Sequence, residues 1–238
     1  MIAFTGFRPA TFSFLRGLAR NNRREWFEVH RASYEADVRE PMRALVDELD
    51  AVLGAIAPEF RGDPRKSVFR IYRDIRFSAD KSPYKTHVAC WLFHQDAGSG
   101  VGREAHGGAG FYVHVEPGAC MVGGGLWMPP KPALDRIRDR LVEDVESFDA
   151  ILADRRFKRR FGALSDEAML TRVPRGYPPE HSASQWLRYK SFTVGRQLRD
   201  AEVGSRKIIA ALRTDIEVMR PFVRWLNAAL GLREVRGR

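Results

Sequence analysis

The apolar residues of this chain change period twice, and those changes limit what it can fold into. From Thr11 to Ile56 they recur at helical spacing. Phe14, Leu15 and Leu18 share one side of a first stretch that ends near Arg20. Asn21 and Asn22 separate it from a second stretch, in which Trp26, His30, Tyr34 and Val38 recur every four residues. Asn22 with Glu25 reads as a capping box, with Asn in place of Ser or Thr. Pro41 suits the first turn of a new helix or a kink. After it, Met42, Leu45, Val46, Leu49, Val52, Leu53 and Ile56 keep helical spacing until Pro58 and Gly62-Asp63-Pro64.

The period then falls to two. Between Ser67 and Ser78, Phe69, Ile71, Ile75 and Phe77 alternate with Arg70, Tyr72, Asp74 and Arg76, which predicts a strand. His87 to His94 reads as a second strand. Glycines crowd the stretch from Gly98 to Gly110 and mark a loop. Phe111, Val113 and Val115 then alternate with Tyr112, His114 and Glu116, and Pro117-Gly118 suits the centre of a type II turn. Ala119 to Leu126 returns as the partner strand.

Helical spacing resumes after Pro129, Pro130 and Pro132, with Leu134, Ile137, Leu141, Val145 and Phe148 on the apolar face of one long helix. Arg155 to Phe192 is irregular. A last helical region covers Ala201 to Leu230, bent at Pro221 and followed by Gly231.

This order predicts an α+β fold with a central, mainly antiparallel sheet packed by N-terminal and C-terminal helices. We expect one domain over 1–238: a helical opening over 8–57, a sheet core over 66–127 and a helical and irregular remainder over 130–232. Hydrophobic residues make up 44% of the chain and charged residues 29%, which supplies a core and excludes a disordered chain. The start has no basic flank before a long apolar run, and the apolar stretches fall short of the roughly 20 residues a membrane span needs. The expectation is therefore a cytoplasmic protein without a membrane span. The two cysteines, Cys90 and Cys120, read as buried free thiols. The oligomeric state is not legible.

The segment from Arg70 to Lys85 concentrates chemistry. It holds Arg70, Arg73, Arg76, Lys81 and Lys85 against Asp74 and Asp80. On a strand, Arg70, Tyr72, Asp74 and Arg76 share a face, with the outer guanidiniums at most about 20 Å apart along the backbone at roughly 3.3 Å per residue. Arg73 is the exception, because strict alternation places it with the apolar set. A buried guanidinium is costly unless paired, so either a bulge turns it outward or an acid, Asp80 or Asp74, meets it. Two readings stand: a ligand site, and a salt-bridge network that ties a strand to its turn.

The pattern Arg70-x-x-Arg73-Asp74-x-Arg76-Phe77, continued by Asp80-Lys81-x-x-Tyr84-Lys85, resembles the signature of the family known as domain of unknown function 2461. That is a conserved bacterial family, also found within some longer fungal proteins. Phe4-x-Gly6-Phe7, Asn21-Asn22-x-x-x-Trp26-Phe27, Pro174-x-Gly176-Tyr177 and His181 carry the resemblance along nearly the whole chain. Ser182 departs from it, standing after His181 where the pattern has Pro. The resemblance implies that the motif matters, and implies no activity.

Other candidates are weaker. Gly123-Gly124-Gly125 could cradle phosphate, but it lacks P-loop and dinucleotide-binding spacing, and close packing explains it better. His30 sits on an apolar helical face. His87, His94 and His114 fall on predicted strands without ligand spacing, and His106 falls in the glycine loop. No zinc-binding pattern is present, so no metal site is expected. Trp186, Arg188, Tyr189, Lys190 and Phe192 interleave aromatic and basic residues, as single-strand binders do, although anchoring a loop to the core explains them better.

The expectation is an anion site for a phosphate-bearing small molecule formed by Arg70, Arg73, Arg76, Lys81 and Lys85. Asp74 and Asp80 orient the cations, and Tyr84 donates a hydrogen bond. In an enzyme, Asp74 or His181 is the proton-transfer group. No cofactor is legible. The net charge of +10 keeps a nucleic-acid-binding module as an alternative, beside a purely structural network.

Overall fold

The computed structural model describes residues 4–74, 76, 79–98 and 108–235. Ile75 and Phe77 of the expected strand, and His106 with most of the glycine-rich loop, lie outside these. The opening is helical: α1 (Pro9–Arg20), α2 (Arg24–Val29), α3 (Arg31–Tyr34), a π-helical turn over Glu35–Arg39, and α4 (Glu40–Ile56). Pro41 accounts for the π-helical turn. It has no N–H to donate to the carbonyl of Asp37, and the buried Thr11 hydroxyl donates to that carbonyl instead, at 2.5 Å.

A five-stranded antiparallel sheet follows, in the order β1 (Phe60–Arg61), β2 (Val88–His94), β3 (Gly110–Val115), β4 (Met121–Leu126) and β5 (Phe192–Gln197). The β3–β4 hairpin closes as expected, with Gly118 at φ +77° and the Ala119 N–H on the Glu116 carbonyl. After β4 come α5 (Lys131–Glu143), α6 (Val145–Ala153), α7 (Arg155–Phe161), α8 (Ser184–Leu187), α9 (Asp200–Val203) and α10 (Ile208–Ala229). The fold is α+β. Among the described residues, no helix is long and apolar enough to cross a membrane.

One face of the sheet meets the helices. Phe111, Val113 and Val115 of β3 and Val122 of β4 join Leu45, Leu49 and Leu53 of α4 and Met219, Phe222 and Val223 of α10 in the core. Gly124 lets α10 approach, since a Cβ there would lie 3.1 Å from the Met219 sulfur. On the opposite face of β3, Tyr112 and His114 are half-buried.

Several expectations are corrected. No named strand spans 67–78 among the described residues; isolated bridges join Val68 to Cys90 and Tyr72 to Tyr84. Val68 and Tyr72 are four residues apart while their partners are six apart, so the 84–90 side carries two extra residues in a bulge. Val68 and Ile71, three apart, both pack on the core, which breaks the alternation. Asn22 does not cap α2, because its side chain is engaged elsewhere. The long helix after Pro130 breaks at Asp144, which caps α6 through Ser147. The C-terminal region divides into α9 and α10, and α10 continues through Pro221. The brief β1, α7 inside the irregular stretch, and β5 were not anticipated.

Candidate functional site

The Arg70–Lys85 segment is pinned at its ends by backbone geometry. The Arg73 N–H donates to the Pro83 carbonyl at 2.9 Å, and the Lys85 N–H to that of Ile71 at 2.8 Å. Asn22 then behaves like one more strand residue. Its side-chain amide donates to the Tyr84 carbonyl at 2.9 Å and accepts from the Tyr84 N–H at 3.1 Å. The Tyr84 ring, 2% exposed, stacks on Phe27 at 4.2 Å. Burial raises its pKa. The Asn21-Asn22-x-x-x-Trp26-Phe27 motif therefore holds the central one through a residue 62 positions away.

The charged side chains of the segment separate into two sets. Arg73 is exposed rather than inward, and it pairs with Asp80. Asp80 also accepts from the Ser82 N–H and hydroxyl at 2.9 and 2.6 Å. Arg76 grips Asp74 through two bonds of 3.0 and 2.8 Å. These contacts hold both carboxyls at about 2: Asp74 mainly through Arg76, Asp80 mainly through Ser82 and then Arg73. Asp74 is thus a carboxylate at neutral pH, suited to orienting a cation rather than to donating a proton. Lys81 is exposed.

Arg70 and Lys85 form the other set. Among the described residues neither makes an ion pair with a carboxylate. Lys85 is half-buried with its ammonium 5.2 Å from the Phe69 ring centroid. Burial, and then the charge of Arg70, lowers its pKa.

Sequence reasoning missed what lies beside them. On β3, His114 is held from both sides, with Nδ1 2.9 Å from the Tyr112 hydroxyl and Nε2 3.1 Å from Glu116 Oε2. The Thr86 hydroxyl donates to the other oxygen of Glu116 at 2.7 Å. The bulge before β2 sets His87 against this group, with its ring centroid 4.1 Å from that of His114. Burial, then His114, pushes His87 down to about 4, and the charges of Lys85 and Arg73 add to the effect. Burial opposes ionisation of Glu116, but the hydrogen bonds from Thr86 and His114 outweigh it and lower its pKa. The period-two set Tyr112, His114 and Glu116 was legible. The register that pairs Val88 with Val115, and so carries His87 to the same end, was not.

The remaining candidates lie elsewhere. His181 belongs to the segment leading to β5, the far edge strand, and its Nδ1 accepts from the Ala183 N–H at 3.1 Å. No hydrogen bond or ion pair among the described residues joins it to the 70–85 segment. Tyr177 ties the same segment to α5 through Asp139 at 2.9 Å. Gly123 to Gly125 lie within β4, where their backbone serves the ladder and β3 stands between them and β2. Trp186 donates to Asp149 at 2.7 Å and meets the Phe148 ring edge-on, while Tyr189 and Phe192 are buried, so this stretch anchors its loop. Cys90 and Cys120 are buried free thiols.

Neither a curated protein nor a solved structure matches this chain. The family model described as conserved hypothetical protein (DUF2461) matches residues 10–225, and the chain belongs to that family.

Proposed function

We propose that the Arg70–Lys85 segment binds a phosphate-bearing small molecule, with Lys85 and Arg70 as its principal contacts and Arg73 at the rim. The observation that carries this is the half-buried Lys85 ammonium, which makes no ion pair with a carboxylate among the described residues and is disfavoured by burial and by the charge of Arg70, a guanidinium that also acts on Asp74. An anion bridging the two removes that repulsion. Asp80 and Asp74 steady Arg73 and Arg76 in this reading, and Arg76 and Lys81 extend the cationic surface around the site. Where the bound anion reacts, the His87–His114–Glu116 cluster, which feels the charges of Lys85 and Arg73, is a proton-handling candidate beside Asp74 and His181.

A purely structural network accounts for Arg73 and Arg76, each held by an aspartate, and in part for Arg70, whose charge helps to lower Asp74, but among the described residues gives Lys85 no carboxylate. The nucleic-acid alternative rests on the net charge of +10. It lost one support when the aromatic–basic stretch at Trp186–Phe192 proved to be packed against the core.

The test is calorimetric titration of the full chain with inorganic phosphate and pyrophosphate, compared with the double variant Arg70→Ala, Lys85→Ala. Removing two charge-assisted contacts should weaken binding about tenfold or more. Unchanged affinity in the folded double variant overturns the reading. Binding confined to oligonucleotides, with a steep salt dependence, selects the nucleic-acid alternative.

A further inference from the structure

We propose that His87, His114 and Glu116 form a binding site for one divalent first-row transition-metal ion. Two imidazoles and a carboxylate are a donor set that such ions take with positions left open. The three ligand atoms, one from each residue, all lie within 4.8 Å of one another, although the residues come from strand β3, the turn that follows it and the bulge before β2. His114 Nε2 and Glu116 Oε2 stand 3.1 Å apart. Two ligands each about 2.1 Å from a tetrahedral ion lie roughly 3.4 Å from one another, so this pair is already spaced to share one.

The surroundings match the donors. A metal-binding imidazole uses one nitrogen for the ion and gives the other N–H to a neighbour that fixes its orientation. His114 has that neighbour in Tyr112, whose oxygen lies 2.9 Å from Nδ1 and can accept its proton once Nε2 turns to the ion. Glu116 has one oxygen held by Thr86 at 2.7 Å, which leaves the other for the ion. His87 brings its ring to the same place, with its centroid 4.1 Å from that of His114. The carboxylate supplies the negative charge that keeps an ion in place although Lys85 and Arg73 lie nearby.

Three protein ligands leave a four-coordinate ion at least one open position. The phosphate-binding reading is not needed for any of this, since the donor set stands on its own residues. If both hold, an anion held by Lys85 and Arg70 lies beside a Lewis acid, an arrangement that polarises a phosphoryl oxygen or activates a water.

The experiment uses the full chain, stripped with a chelator and titrated with Zn²⁺ and then Co²⁺. One ion per chain is expected, with visible Co²⁺ absorption of low-coordinate character. Glu116→Gln and His114→Gln should abolish stoichiometric uptake, and Tyr112→Phe should weaken it about tenfold. X-ray absorption of the zinc-loaded wild type counts imidazole ligands without relying on any variant, and two are expected. Failure of the wild type to bind, fewer than two imidazoles, or uptake undiminished in the two ligand variants overturns the site. Arg70→Ala, Lys85→Ala should keep the ion, so loss of phosphate binding and loss of metal are read separately.

Discussion

Two arginine-rich regions of this protein handle charge in opposite ways. Between α7, β5 and α10, Arg160 and Arg196 converge on Asp215, whose carboxylate is fully buried. Arg160 donates to Oδ1 at 2.5 Å, and Arg196 meets both oxygens at 2.8 and 2.9 Å. Each guanidinium finds its acid within the chain, and together they tie an edge strand to two helices. In the Arg70–Lys85 segment, Arg73 and Arg76 hold exposed aspartates, while Arg70 and Lys85 hold none. A carboxylate out of reach of water must be matched by the fold itself. Cations at a surface are solvated, and can be left for a partner that is not part of the chain. The contrast separates a basic cluster matched by a buried acid from one whose paired acids are exposed.

The largest effect expected from this contrast is at Asp215. Asp215→Asn leaves two guanidiniums facing an amide and should lower the unfolding free energy by about 3–5 kcal/mol, read by urea denaturation. A loss below about 1 kcal/mol would mean that the buried cluster is not architectural, and the contrast would fail. Next comes Asn22→Ala, which takes away the partner of both the Tyr84 N–H and its carbonyl. It should cost about 1–3 kcal/mol. It should also weaken phosphate binding, because Lys85 follows Tyr84 directly; stability lost with binding intact would show that the anchor does not position the cations.

The smallest effect is at Arg73. Arg73→Met should leave the denaturation midpoint where it is, since its pairing with Asp80 is exposed. The same variant is informative by carboxyl NMR. Asp80 should titrate somewhat above its value of about 2, but stay below the ordinary 3.8, because Ser82 is the larger cause of the depression. The sign follows from a lowered folded-state pKa: what Asp74 and Asp80 contribute is complete above the ordinary carboxylate range and is lost as pH falls through about 2. A midpoint that falls markedly more between pH 5 and 2 in wild type than in Arg73→Met would give the exposed pair a structural weight that this contrast denies it.

Much of the fold was legible because it is local. Helical spacing from Thr11 to Ile56 and from Leu134 to Phe148, and the Pro117-Gly118 turn, follow from side-chain periodicity and the conformational preferences of single residues. The breaks were harder. Asp144 interrupts an apolar stripe that continues past it, and nothing in the period marks the residue that stops one helix and caps the next. The expected strand over 67–78 had neither the alternation at its start nor the register, since Val68 and Ile71 both pack on the core and a bulge on the partner side takes up two residues.

The sequence by itself determined that the chain is α+β, where its opening helices and central hairpin lie, and that the Arg70–Lys85 segment sets five cations against two acids. Those are properties of composition and short-range period. Only the tertiary structure decided that Arg73 turns outward to Asp80, that Asn22 serves Tyr84 instead of capping a helix, and that His87 meets His114 and Glu116. Each of these depends on strand register or on contacts between residues distant in sequence. A shift of one residue in pairing reverses the face a side chain presents, so no pattern along a single strand can settle which groups will meet.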